Sequence, residues 1–206
     1  MIGRRVRFRV LILVAGAALC AGPFRANASV PDPRFSTFDA VVVGNSTGTP
    51  IGGLPAGFDV VVRDVNNASI ANAVVTLDFS ASGMKVYSSQ NAGTTVNCAA
   101  RTISRATDAI GHVNFGARVG GYTNSNLVVV SANGVPLGNV PGRSTDIDGL
   151  GGRTGLGDLA HLATNLISNV GAQETDFDLN GMTALGDLAL FSTELLTDFG
   201  PLTYCP

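Results

Sequence analysis

The stretch TDFDLNGMTALGDLALFSTEL, Thr175 to Leu195, decides how the C-terminal third of the chain folds, because Asp176, Asp178, Asn180 and Asp187 run straight into a leucine-rich amphipathic segment. Counted from Asp176, the carboxylates and the amide fall at places one, three and five, with Gly181 at six and Asp187 at twelve. At this spacing alternate side-chain oxygens converge on a calcium ion. A glycine permits the bend, and the backbone carbonyl at the seventh place, here Met182, adds a ligand. A second origin is open, since an acid early in a helix is favoured by capping and by the helix dipole without any ion.

Shifting the chain by 29 residues lays TGLGDLAHLATNL, Thr154 to Leu166, over TALGDLALFSTEL, Thr183 to Leu195, with eight of thirteen positions identical. Chance does not readily produce this, so the segment is a duplicated unit of one loop and one helix. Leu159, Leu162, Leu166 and Val170 share one helical face in the first copy, and Leu188, Phe191 and Leu195 in the second. Neither helix can bury its face alone, so the two are expected to pack together. The first loop departs from the pattern. Aligned from its end, Asp158 takes place twelve, Gly152 six and Gly151 five, and only a one-residue insertion brings Asp146 and Asp148 to places one and three. Its fifth place then lacks a side-chain oxygen. The expectation is one complete calcium site at Asp176, Asp178, Asn180, Met182 and Asp187, and a weaker or empty one at Asp146, Asp148 and Asp158. His161, where the second copy has Leu190, is given no ligand role.

Duplicated calcium loops that each precede a helix, close on Asp rather than Glu and continue with leucine resemble dockerin domains, the modules that anchor secreted bacterial proteins to cohesin receptors. The resemblance covers Thr145 to Leu196. It implies calcium as the cofactor, bound by the residues just named, and a cohesin-like or other surface receptor as partner. The tenth and eleventh places, which in that family help select the cohesin and commonly bear hydroxyls, are Leu156-Gly157 and Leu185-Gly186 here. This departure points away from a typical cellulosomal partner. Two near-identical faces imply docking in two orientations.

From Phe38 to about Val140 the chain alternates short β-branched runs with turn signals. Strands are expected at Ala40 to Val43, Phe58 to Arg63, Ala73 to Phe79, Met84 to Tyr87, Ala100 to Ser104, His112 to Ala117, Leu127 to Ser131 and Val135 to Val140. Asn133-Gly134 marks a two-residue hairpin. Strands this short and regular, with no helical period, predict an antiparallel β-sandwich. The turns Asp64 to Asn67 and Thr107 to Phe115 resemble those of bacterial Ig-like domains of the Big-1 type. The expected fold is therefore mainly β, an Ig-like antiparallel sandwich over residues 29–142 followed by a small α-helical dockerin-like pair over 143–206.

Residues 1–28 read as a secretory signal peptide: Arg4, Arg5, Arg7 and Arg9 precede an apolar run from Val10 to about Ala21, then Ala26-Asn27-Ala28. That run is about a dozen residues, short of the ~20 a membrane span requires, so no membrane span and a secreted, extracellular or surface location are expected. Leu19 before Cys20 argues against a lipoprotein signal. Cleavage removes five arginines, leaving 8 basic against 15 acidic residues, a net charge of −7. Residues 145–206 hold nine acids and only Arg153, which disfavours nucleic acid and anionic lipid as partners. Cys98 and Cys205 remain, and their spacing leaves a disulfide and two free or intermolecular thiols equally open. No nucleophile elbow or comparable motif accompanies the serines and His112, so no enzyme is expected. The absence of tryptophan weakens a glycan platform. The alternative roles are a structural or adhesive envelope protein whose repeat is a stabilising or retention tail, and, further off, a component of polysaccharide degradation.

Overall fold

Asn133 and Gly134 both take positive φ, 48° and 79°, the conformation in which a two-residue turn follows the natural strand twist. Ala132 faces Val135 across it. The hairpin joins the two longest strands of the computed structural model, which describes residues 29–49, 57–150, 152–168, 173–195 and 203–206. The leader expected at residues 1–28, the loop residue Gly151 and the helical-face residue Val170 lie outside the described residues.

The described chain is mainly β. Strands β1 (Thr37–Phe38), β2 (Val42–Gly44), β3 (Phe58–Val61), β4 (Val74–Asp78), β5 (Lys85–Val86), β6 (Thr95–Asn97), β7 (Thr102–Ala106), β8 (His112–Phe115), β9 (Val119–Gly120), β10 (Thr123–Ala132) and β11 (Val135–Ser144) precede helices α1 (Leu156–Ser168) and α2 (Leu185–Leu195). They form a sheet ordered β2-β11-β10-β4-β7-β6, a second ordered β1-β3-β8, and a ribbon β5-β9. Alternate residues point inward. Phe58 and Val60 of β3, Phe115 of β8, Leu77 of β4, Ile103 of β7 and Val130 of β10 are fully buried in one cluster. Each such side chain contributes roughly 1.5–3 kcal/mol on burial.

The sheets differ from the expected antiparallel set in one parallel pairing and three additional short strands. β2 pairs parallel with β11, Gly142 opposite Val42 and Ser144 opposite Gly44. β1, β6 and β9 also join the sheets, each only two or three residues long, too short to show alternation in the sequence. The turns that suggested the Ig-like comparison share one device. Asp64 Oδ1 accepts the N–H groups of Asn66 and Ala68, and Asp108 Oδ1 those of Ile110 and His112.

The parallel pairing carries β11 to Ser144, directly before the first acidic loop. Leu162 of α1, Phe191 of α2, and Ile147 and Phe177 from the two loops make a second, separate core, with Leu159, Leu188, Leu190 and Leu195 packed against it. The two helices thus share a core, built largely through loop residues. The chain end then returns to the sheets. Tyr204 bridges antiparallel to Tyr87, Cys205 N–H donates to the Val86 carbonyl at 2.7 Å, and Cys98 and Cys205 form a disulfide.

Candidate metal centres

Each loop is closed by the aspartate that opens its helix. In the second, Asp187 Oδ1 accepts the N–H groups of Phe177 (2.6 Å) and Asp178 (3.0 Å), while Oδ2 accepts Ala184 N–H at 2.8 Å. In the first, Asp158 Oδ1 accepts Asp148 N–H at 2.9 Å and Oδ2 accepts Gly155 N–H at 2.7 Å. Threonine hydroxyls tie the loop ends together, Thr175 with Thr183 at 2.6 Å and Thr154 with Thr145 at 2.8 Å. Gly149 and Leu179 share a left-handed φ, 61° and 60°. Thr145, Asp146, Asp148 and Gly149 therefore stand 30 residues before their counterparts, while Gly155 and Asp158 stand 29 before theirs. The one-residue insertion that the comparison of the copies implied therefore lies between Gly149 and Thr154.

The register puts Leu150 where the second loop has Asn180. Leu150 N–H donates to Asp148 Oδ1 at 2.7 Å, as Asn180 N–H does to Asp178 Oδ1 at 3.1 Å. The eleventh-place glycines have a steric cause. A Cβ on Gly157 or Gly186 would lie 2.7 Å from Oδ2 of Asp148 or Asp178, respectively.

Both sets of carboxylates converge. Asp146, Asp148 and Asp158 offer oxygens within 4.8 Å of one another, and so do Asp176, Asp178 and Asp187; in each set the first and last residues are buried. At an effective dielectric of about 20, unit charges this close repel by roughly 3–4 kcal/mol per pair. A proton or a cation must offset that. Burial, with the nearby Asp158 and Asp148 charges, pushes Asp146 up to about 7 against two tyrosine hydrogen bonds. Burial likewise raises Asp158. Asp178 is raised by burial and then by Asp187 and Asp176.

Oxygen-only donors of this kind suit hard divalent ions, and both triads can hold one. Asn180 and Met182 are exposed at the rim of the second loop, with Asn180 Oδ1 accepting Met182 N–H at 3.0 Å. The fit is supported independently at the first loop, where Asp146 is fully buried and its Oδ1 has no hydrogen-bond partner.

The surroundings of the two triads differ, through residues that reading the loops did not single out. Arg143, buried at the end of β11, donates to the Asp176 carbonyl, and its Nη1 lies 3.5 Å from Asp176 Oδ2. Burial lowers its pKa while Asp176 pulls it back up. Asp146 Oδ2 instead accepts neutral donors, the Tyr87 hydroxyl at 3.0 Å and the Tyr204 hydroxyl. Burial raises the pKa of both tyrosines and keeps them protonated. These partners stand 33, 59 and 58 residues from their aspartates, so no local pattern announces them.

His161 is exposed on α1, and His112 is half-exposed, 2.9 Å from Asp59. Among the described residues no helix is long and apolar enough to cross a membrane. Compared with known proteins, the chain matches no family model, no curated protein and no solved structure.

Proposed function

We propose that this chain is a secreted, non-catalytic modular protein in which an Ig-like β-sandwich carries a dockerin-like, calcium-binding helix pair that docks to a receptor at the cell surface or in an extracellular assembly. The observation that carries this reading is the duplicated geometry, two loops that each gather three carboxylates and close on the aspartate opening a helix. Calcium acts here through folding. It relieves the repulsion within each triad, and its binding free energy becomes stability of the loops and of the core at Phe177 and Phe191. Leu156 and Leu185, 80 % and 73 % exposed at equivalent positions of the two copies, each offer an apolar contact to a cohesin-like or other receptor.

The test is calorimetric titration of the oxidised chain beginning at Ser29 with calcium, with magnesium as a control. The sheets must be present because they supply Arg143, Tyr87 and the disulfide partner. Calcium binding with a rise in Tm is expected; no binding at millimolar calcium would sink the reading.

A second reading, that the repeat is a stabilising tail of an envelope protein, is favoured by the ties that bind it to the sheets: the Cys98–Cys205 disulfide, Arg143 to Asp176, and Asn45 Nδ2 to Glu194 Oε1 at 3.1 Å. The two separate on Leu156→Asp/Leu185→Asp. A docking module loses its receptor and keeps its calcium-dependent Tm, whereas a tail has no receptor to lose.

A further inference from the structure

We propose that the C-terminal strap, residues 203–206, is a working part of the first metal loop, with Tyr204 as the positioning residue that holds the Asp146 carboxylate for the ion. The inference rests on the calcium reading above and adds how one of the two sites is controlled.

Asp146 divides its two oxygens. Oδ2 accepts hydrogen bonds from Tyr87 and Tyr204, and Oδ1 stays buried with no hydrogen-bond partner. A ligand carboxylate oriented through one oxygen and left open at the other is the usual form of outer-shell support at metal sites. Its main chain is fixed as well, since Gly121 N–H donates to the Asp146 carbonyl at 2.6 Å. Gly120 makes the approach sterically feasible. A Cβ there would collide with the Tyr204 hydroxyl and sit 2.9 Å from Asp146 Oδ2.

The strap is in turn held in place. The Tyr87 and Tyr204 ring centroids lie 4.5 Å apart, Ser88 N–H donates to the Thr203 carbonyl at 2.9 Å, and the disulfide ties Cys205 to Cys98. Lys85 Nζ, 5.4 Å from the Tyr204 ring centroid, donates to the Gly149 carbonyl inside the loop at 2.8 Å. The second triad has a different neighbour, the guanidinium of Arg143. With Leu150 in place of a fifth-place amide, the first loop depends more heavily on how its three carboxylates are aimed. Opening the strap is therefore selective for that loop.

The test uses the whole oxidised chain from Ser29, titrated with calcium in two backgrounds: Asp176→Asn, which isolates the first loop, and Asp158→Asn, which isolates the second. Tyr204→Phe keeps the ring and the disulfide and removes one hydroxyl. It is expected to weaken the first loop by about 10–100-fold and to leave the second within about twofold. Gly120→Ala should behave like Tyr204→Phe. Reduction by a water-soluble phosphine, which converts the disulfide to two thiols as the phosphine takes up oxygen from water, should reproduce the selective loss with every residue in place. Calcium binding that ignores Tyr204→Phe, or falls equally in both backgrounds, overturns the proposal and leaves the calcium reading intact. No calcium binding by the unaltered chain overturns both.

Discussion

Asp176 faces the guanidinium of Arg143 and, on the proposed reading, the ion as a second positive partner. Replacing Arg143 by methionine leaves a buried carboxylate without its counter-charge, which typically costs 3–5 kcal/mol. The expected outcome is a lower Tm without calcium but a larger calcium-induced rise than in the unaltered protein, read by calorimetry with and without chelator. Asp176→Ala removes a ligand from the second loop and should abolish that site while sparing the first, which titration of the Asp158→Asn and parent chains resolves. Gly186→Ala forces the third-place carboxylate aside, because its Cβ would lie 2.7 Å from Asp178 Oδ2. A calcium affinity lowered about tenfold or more at the second loop is expected. The eleventh-place glycines were legible in the sequence only as a departure from hydroxyl-bearing residues. Their cause, a side chain packed across the helix start, is visible only in three dimensions.

Among the elements, α2 meets the sheets through Glu194, buried and hydrogen-bonded to Asn45. Burial pushes its carboxyl from 4.5 up to about 7, with the Asn45 hydrogen bond acting in the opposite sense. Between those values the folded protein holds a proton that the unfolded chain has released, so this group stabilises the fold at low pH. The contribution fades as pH rises from about 4.5 through 7. Subtracting the pH profile of Glu194→Gln from that of the parent, by denaturant melts in chelator, should leave a falling slope worth about 1–2 kcal/mol after solvent screening. A flat difference would show that the group does not titrate in this window. The long hairpin and the interior strands were legible because Asn-Gly and alternating β-branched residues act locally. β1, β6 and β9 were not, since two or three residues cannot display a period, and the parallel β2–β11 pair left no local trace.

For the whole molecule, the Cys98–Cys205 bridge closes a loop with a sequence separation of 107 and joins β-sheet, helix pair and chain end. The double substitution Cys98→Ser/Cys205→Ser is expected to cost about 2–5 kcal/mol, chiefly by freeing the unfolded chain. Matched urea melts of the oxidised parent and the variant measure it, and equal midpoints would contradict it. Calcium should recover part of this loss, because the second loop and the Phe177–Phe191 core remain assembled without the strap.

Periodicity and spacing were enough to expect the mainly β character of the long N-terminal part, the duplicated loop and helix, and the acidic positions of both loops, the first only with one inserted residue. Both signals act over a few residues. That the first triad, like the second, gathers its oxygens within 4.8 Å of one another, that Cys98 and Cys205 pair, and that Arg143, Tyr87 and Tyr204 contact the acidic loops became visible in the tertiary fold alone. Those contacts join residues 33 to 107 positions apart, brought together by burial of two cores and the closing of one disulfide, and no local pattern encodes them.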